Sequence, residues 1–105
     1  EVLALQSRPE AVLCFNDVLA AGLMLGLRRA GLEPGRDLGV VGLDDLPLAE
    51  LTYPPLTSVA MDPAGIGAAA ARLLARRLAD AGAPVERAIL APRLVIRESS
   101  GREAG

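Results

Sequence analysis

The first apolar segment of the chain predicts a buried strand that leads into a helix. Residues 11–15 (AVLCF) form a continuous apolar run, and Pro9 prevents a helix from continuing into it. Asn16 then offers an N-cap side chain to a helix over residues 17–30. Two arginines in the last turn and Gly31 just past the end are typical signals for the end of a helix.

The later apolar segments complete an α/β pattern. Residues 38–41 (LGVV) predict a second strand that is covered on both faces, because the run is continuous rather than alternating. Strand, helix and strand in this order form a βαβ unit, which implies parallel strands and a right-handed crossover. An Asp-Pro pair at 62–63 starts a second helix that runs to residue 81. The last segment, residues 88–97, alternates between apolar and polar positions from Pro92 onward and predicts a strand near a sheet edge that starts at Pro92.

The first predicted helix lacks the polar stripe that a helix lying on a sheet normally shows to solvent. The stripe predicted to cover the sheet consists of Ala20, Leu23, Leu27 and Ala30. The opposite stripe consists of Ala21, Met24, Leu25 and Arg28. Exposing Met24 and Leu25 would forgo about 2 kcal/mol each relative to burial. We therefore expect a second chain or another domain to cover the outward stripe; the alternative is burial by other parts of the same protein.

Two polar residues follow the ends of the two predicted parallel strands. Asn16 comes directly after the first strand, and Asp44 comes shortly after the second. The carboxyl edge of an open α/β sheet forms its ligand crevice, and an amide and a carboxylate suit the hydroxyl groups of a ligand. Two structural alternatives remain: Asn16 as a helix cap, and Asp44 or Asp45 as a turn-forming side chain.

Composition and charge exclude several classes of function. The 105 residues carry a net charge of −2, which argues against direct binding of a nucleic-acid backbone by this segment. Histidine is absent, so a Ser-His triad is impossible, and Cys14 has no second cysteine for a disulfide or a zinc cluster. A GxGxxA match at 65–70 lies inside the second predicted helix and not in a strand-to-helix turn. We therefore expect no enzyme activity, no cofactor and no metal site.

The apolar stretch from Val18 to Leu27 is far too short to span a bilayer, so no membrane partner is expected. The chain begins without methionine and without the charged and apolar regions of a signal peptide. We interpret it as a piece of a longer protein. A single cysteine fits a reducing cytoplasmic setting.

Several short motifs together resemble one protein family. These motifs are AVLCFND at 11–17, VVGLDD at 40–45, PPLTSV at 54–59, DP at 62–63 and RLVIRESS at 93–100. In this order and spacing, over nearly the whole chain, they resemble the C-terminal part of lactose/galactose repressor (LacI/GalR) family transcriptional regulators. The resemblance implies two Rossmann-like lobes of periplasmic-binding-protein type, with a small effector between them. It also implies an N-terminal helix-turn-helix headpiece that binds DNA and is absent from this chain.

The resemblance also implies how the chain is divided. Residues 1–58 would belong to the C-terminal lobe of the effector-binding domain. Residues 59–90 would form a crossover segment and a helix of the N-terminal lobe. Residues 91–105 would form the return strand to the C-terminal lobe and a tail.

By the same resemblance, the residues that match effector-binding positions are Asn16, Asp44 and Met61. Those that match the family's homodimer interface are Ala21, Met24, Leu25, Arg28, Leu51 and Thr52. The implied function is sensing of a sugar-like small molecule, and dimerisation, in a cytoplasmic bacterial transcriptional regulator. The alternative is a periplasmic sugar-binding protein of an ABC transporter, a class that is usually monomeric.

Overall fold

The computed structural model describes residue 7 and residues 9–101. Seven helices and strands follow one another along these residues: β1 (Ala11–Leu13), α1 (Asp17–Arg29), β2 (Gly39–Leu43), α2 (Leu48–Leu51), β3 (Thr57–Ala60), α3 (Pro63–Ala79) and β4 (Arg93–Val95). A short 3-10 turn, Glu98–Ser100, follows β4. Each element that the sequence predicts is present within one to a few residues of its expected bounds, and the short helix α2 is additional.

The four strands form one open, mostly parallel sheet in the order β1-β2-β3-β4. β2 lies parallel to both β1 and β3, whereas β4 runs antiparallel to β3 at the sheet edge. Leu13 of β1 is level with Val41 of β2, and Leu43 of β2 is level with Val59 of β3. The α/β class, the βαβ unit and the edge position of the last strand are therefore confirmed. β1, β2 and β3 have their carboxyl ends at the same edge of the sheet.

Helix α1 covers the sheet with a different set of residues from the predicted one. Ala20, Met24 and Leu27 are at most 2% exposed and pack into a core that also contains Leu38 and Val40. The prediction that Met24 faces outward is wrong. Ala20, Met24 and Leu27 are spaced i, i+4 and i+7, which puts them within about 60° of one another around the helix axis, so all three share the buried face. Ala30, expected on the sheet, is instead the exposed C-cap residue.

The described residues divide into two compact units. One contains the residues up to Ala60 together with those from Arg93 onward, and the other is Met61–Pro92. The predicted lobe boundaries at 58 and 90 stay a prediction. Residues 1–6, 8 and 102–105 of the predicted segments lie outside the described residues. In the second unit, Asp62 caps α3 by accepting a hydrogen bond from the Gly65 N–H at 2.9 Å. No helix within the described residues has the length and apolar character needed to cross a membrane.

Candidate functional site

The turn after β2 has an unusual backbone. Asp44 and Asp45 have φ angles of 103° and 52°, which non-glycine residues rarely adopt. Such a residue costs about 1–3 kcal/mol and persists only where its surroundings enforce it. Here the Asp44 N–H donates to the Val59 carbonyl at 2.9 Å, and the Asp45 N–H donates to Ser58 Oγ at 3.1 Å. β3 therefore holds this turn through consecutive backbone N–H groups.

The two adjacent carboxylates of the turn have different surroundings. Asp45 Oδ1 accepts a hydrogen bond from Arg97 Nη1 at 2.8 Å, and the two side chains are only 18% and 14% exposed. The same Nη1 also donates to the Leu56 carbonyl at 2.8 Å, which fixes the guanidinium. Asp44 is exposed, and its carboxylate has no hydrogen-bond or ion-pair partner among the residues that the structure describes. Asp45 thus has a structural ion pair, while Asp44 keeps its full capacity to accept hydrogen bonds.

Asn16 caps α1. Its Oδ1 accepts a hydrogen bond from the Leu19 N–H at 2.9 Å, so the capping role that the sequence left open is confirmed. Capping uses only the oxygen. The half-buried amide keeps its Nδ2 donors, which have no partner within the described part of the chain. A contact between Asn16 and an effector stays a prediction, and the cap leaves it chemically feasible.

Asn16 and Asp44 lie at the same edge of the sheet. The Cys14 N–H donates to the Val41 carbonyl at 2.8 Å, which carries the chain beyond β1 alongside the end of β2. Gly42 then packs against Asp17 so closely that a Cβ on Gly42 would overlap Asp17 Oδ1. These contacts keep the segment after β1 next to the end of β2. The Asn16 amide and the Asp44 carboxylate therefore lie at one edge of the sheet, as predicted for residues that follow the carboxyl ends of parallel strands.

The two residues that precede Asn16 in the chain carry apolar or poorly reactive groups. Phe15, directly before Asn16, is 81% exposed. Burial raises the pKa of the half-buried Cys14 thiol, so this group is mostly protonated near neutral pH. Met61 follows the last residue of β3 and belongs to the second unit, where it is 37% exposed. Its role as an effector contact stays a prediction.

Asp17, the first residue of α1, supports the turn and was not identified from the sequence. It is fully buried, and its Oδ2 accepts a hydrogen bond from the Leu46 N–H at 2.7 Å. Its Oδ1 accepts a hydrogen bond from the Ser58 hydroxyl at 2.5 Å. The only sequence signal is indirect: Asn16 already fills the cap position, so a second capping-type residue beside it needs another role.

Part of the predicted dimer surface is exposed on the first unit. We define the α1–α2 surface by Ala21, Leu25, Arg28, Leu51 and Thr52. Leu25 is 53% exposed and Leu51 is 83% exposed. The Arg28 guanidinium lies 4.8 Å from the centroid of the Tyr53 ring and donates to the Tyr53 carbonyl at 3.0 Å, which joins α1 to the loop after α2. Met24, predicted for this surface, is excluded because it is 2% exposed within the core of its own unit.

With this geometry established, comparison with known proteins identifies the family. The periplasmic binding protein-like domain family matches residues 1–100. The chain belongs to this family. Within the family, its similarities are to transcriptional regulators of the LacI type, so the assignment made from the sequence motifs is confirmed.

Two curated relatives illustrate the similarity. The chain is 36% identical to the HTH-type transcriptional repressor PurR of Vibrio vulnificus, over 94% of this chain and 30% of that protein. It is 38% identical to the HTH-type transcriptional regulator MalR of Streptomyces coelicolor, over 90% of this chain and 28% of that protein. The chain thus spans about a third or less of the length of these relatives.

Solved structures agree in fold. A LacI family transcriptional regulator from Arthrobacter sp. FB24, in complex with lactose, superposes with a TM-score of 0.74 at 39% identity, over 87% of this chain and 34% of that one. The lac repressor dimer bound to operator and the anti-inducer ONPF superposes with a TM-score of 0.77 at 34% identity, over 90% and 28% of the two chains. The predicted periplasmic-binding-protein-like α/β fold is confirmed by these matches.

Proposed function

We propose that the chain is the effector-sensing and dimerisation part of a bacterial DNA-binding transcriptional regulator. The observation that carries the proposal is the difference in bonding between two neighbouring carboxylates, those of Asp44 and Asp45. Arg97 pairs with the Asp45 carboxylate, whereas the Asp44 carboxylate is exposed and without a partner in the described residues. A strained turn that holds one acid and leaves the next one free is typical of a binding site.

The chemistry of the edge suits a small molecule with several hydroxyl groups. Asp44 offers two oxygens that accept hydrogen bonds, and Asn16 Nδ2 offers two donors. Phe15 adds an exposed ring, against which the apolar face of a sugar ring can pack. The lactose complex of the Arthrobacter regulator supports a sugar-like effector. We include Met61 as a third contact residue, which would supply an apolar contact and no hydrogen bond.

The proposed mechanism is a shift between two arrangements of the regulator. An effector that binds one arrangement more tightly than the other changes their populations by the ratio of the two affinities. A homodimer formed through the α1–α2 surface would pass this shift to a pair of DNA-binding headpieces. Paired headpieces need two-fold symmetry to match two half-sites on DNA. The coupling free energy between effector and DNA in such systems is about 1–3 kcal/mol.

Two other functions have less support. A periplasmic sugar-binding protein of an ABC transporter would have the same fold, but the relatives with matching sequences are named as transcriptional regulators. The exposed Leu25 and Leu51 also favour a protein that dimerises. An enzyme has no support in these relatives, which are regulators. We place the whole protein in the cytoplasm, where a transcriptional regulator meets DNA.

A ligand screen on the full-length protein tests the proposal. Thermal denaturation is measured with mono- and disaccharides, polyols and nucleosides, each at millimolar concentration. A ligand present at 100 times its Kd stabilises a folded protein by about 2.7 kcal/mol, which shifts the melting temperature by a few degrees. We expect at least one hydroxyl-rich compound to do so, and its binding should change affinity for operator DNA. Binding without any effect on DNA affinity would contradict the regulatory role.

A further inference from the structure

Beneath the Asp44–Asp45 turn lies a buried polar pair that the proposed effector contacts do not include. Asp17 and Ser58 are both 0% exposed and are joined by a hydrogen bond of 2.5 Å. Each also binds the backbone of the turn: Ser58 Oγ accepts from the Asp45 N–H, and Asp17 Oδ2 accepts from the Leu46 N–H at 2.7 Å. A buried carboxylate is costly unless it is hydrogen-bonded, and both groups that donate to Asp17, the Leu46 N–H and the Ser58 hydroxyl, are neutral.

This pair explains how the turn keeps a strained backbone. Three consecutive N–H groups, those of Asp44, Asp45 and Leu46, all have acceptors, and two of the three acceptors belong to Asp17 and Ser58. With these bonds removed, the residues at positive φ would relax towards ordinary backbone angles. Such a change would redirect the Asp44 side chain, because it starts from the same backbone.

We propose that Asp17 and Ser58 are positioning residues for the Asp44 carboxylate. They would set its direction without touching the ligand, so that their loss lowers effector affinity only through Asp44. This inference rests on the proposed function and adds to it a pair of residues that determine how well the site is preorganised. A contact made by a group already held in place loses little conformational entropy on binding.

The chemistry of Asp17 makes the inference testable with a single-atom change. Both of its oxygens act as acceptors, from the Leu46 N–H and from the Ser58 hydroxyl. In Asp17→Asn one oxygen becomes an NH2 group. Either the Leu46 N–H loses its acceptor, or the Ser58 hydroxyl rotates to accept from the NH2 group and its own hydrogen is left without an acceptor. The shape of the side chain is unchanged, and packing against Gly42 is retained. The variant thus removes the acceptor and little else.

The test is a double-mutant cycle on the full-length protein. The four proteins are wild type, Asp17→Asn, Asp44→Ala and the double variant, and each is titrated calorimetrically with maltose, lactose and cellobiose. Asp80→Asn is the matched control, because exposed Asp80 also accepts a backbone hydrogen bond, from Gly82, far along the chain from the turn. Amide hydrogen exchange of residues 44–46 is measured in the same proteins without ligand, as a direct readout of the turn.

If the inference is correct, Asp17→Asn weakens saccharide binding about ten- to a hundredfold in the wild-type background. In the Asp44→Ala background the same change should alter affinity less than twofold, because the carboxylate that it positions is gone. Exchange of the residue 44–46 amides should accelerate at least tenfold, while Asp80→Asn leaves affinity and exchange unchanged. A purely structural role would instead weaken binding equally in both backgrounds, and that result would overturn the inference.

The two readouts separate this inference from the proposed function. If wild type binds none of the three saccharides, these three are excluded as effectors, and the hydrogen-exchange measurement alone decides the positioning role. Unchanged exchange of the turn in both Asp17→Asn and Ser58→Ala overturns that role whatever the ligand results. If Asp17→Asn does not fold, Ser58→Ala replaces it in the cycle, since it removes the acceptor of the Asp45 N–H with a smaller change. The same pattern of affinity and exchange is then required.

Discussion

Arg97 and Asp45 form a largely buried ion pair, 2.8 Å between Nη1 and Oδ1, that links positions 52 residues apart. The pair ties the segment after β4 to the turn after β2. The second guanidinium nitrogen also approaches Glu50 Oε1 on α2 at 3.3 Å. One arginine therefore connects the turn that carries Asp44 to the helix that contributes to the α1–α2 surface.

Arg97→Met should destabilise the protein because it leaves the Asp45 carboxylate without its cation in a poorly solvated place. Removing one partner of a buried pair costs about 3–5 kcal/mol, and the residual exposure of this pair reduces the figure to about 2 kcal/mol or more. Urea unfolding of the full-length protein measures the change. Arg36→Met is the control, since the Arg36 side chain is 70% exposed in its pair with Asp37 and should contribute less than about 1 kcal/mol. Equal losses in the two variants would contradict this assignment.

Gly42→Ala should destabilise the protein by about 1–3 kcal/mol through overpacking. A Cβ at this position would overlap Asp17 Oδ1 and come within 3.0 Å of Leu56 Cδ2. Gly26→Ala on α1 is the matched control: a Cβ there meets nothing within 4 Å, and alanine favours a helix by up to about 1 kcal/mol. Melting temperatures should therefore fall for Gly42→Ala and stay level or rise for Gly26→Ala. A neutral Gly42→Ala would show that the contact with Asp17 is not tight.

Leu25→Glu should convert a dimer of the full-length protein into monomers. The substitution places a charge in the α1–α2 surface, where its desolvation on association would cost several kcal/mol. Sedimentation velocity measures the outcome across a range of concentrations. Leu19→Glu is the control, because Leu19 is comparably exposed on α1 but lies about a third of a turn away around the helix axis. An intact dimer in Leu25→Glu would remove this surface from the interface.

The elements of the fold could be predicted from local signals. Apolar runs, the Asn16 cap and the Asp62-Pro63 helix start each act within a few residues, and the structure contains them all. The orientation of α1 could not be predicted in the same way. Ten residues in a row lack polar side chains, so the sequence contains no solvent-facing stripe from which the rotation of α1 can be inferred. For this reason the pattern predicts an outward position for Met24, which is buried.

The site was predictable only where it depends on the ends of strands. Asn16 and Asp44 could be assigned to one edge because the carboxyl ends of parallel strands meet there. The roles of Asp17, Ser58 and Arg97 depend on contacts between residues 41 and 52 positions apart, which no local pattern reveals. For the same reason, the sequence could not tell which of the two adjacent acids is paired and which is free.

Calorimetric titration of Asp44→Ala in the full-length protein tests the central claim most directly. The ligand is the compound that raises the melting temperature of wild type most in the screen of saccharides, polyols and nucleosides. Loss of hydrogen bonds to a charged acceptor should raise Kd about ten- to a hundredfold. The melting temperature of the free protein should change little, since Asp44 has no partner within the described residues to lose. An unchanged Kd would show that Asp44 does not contact the effector and would contradict the account.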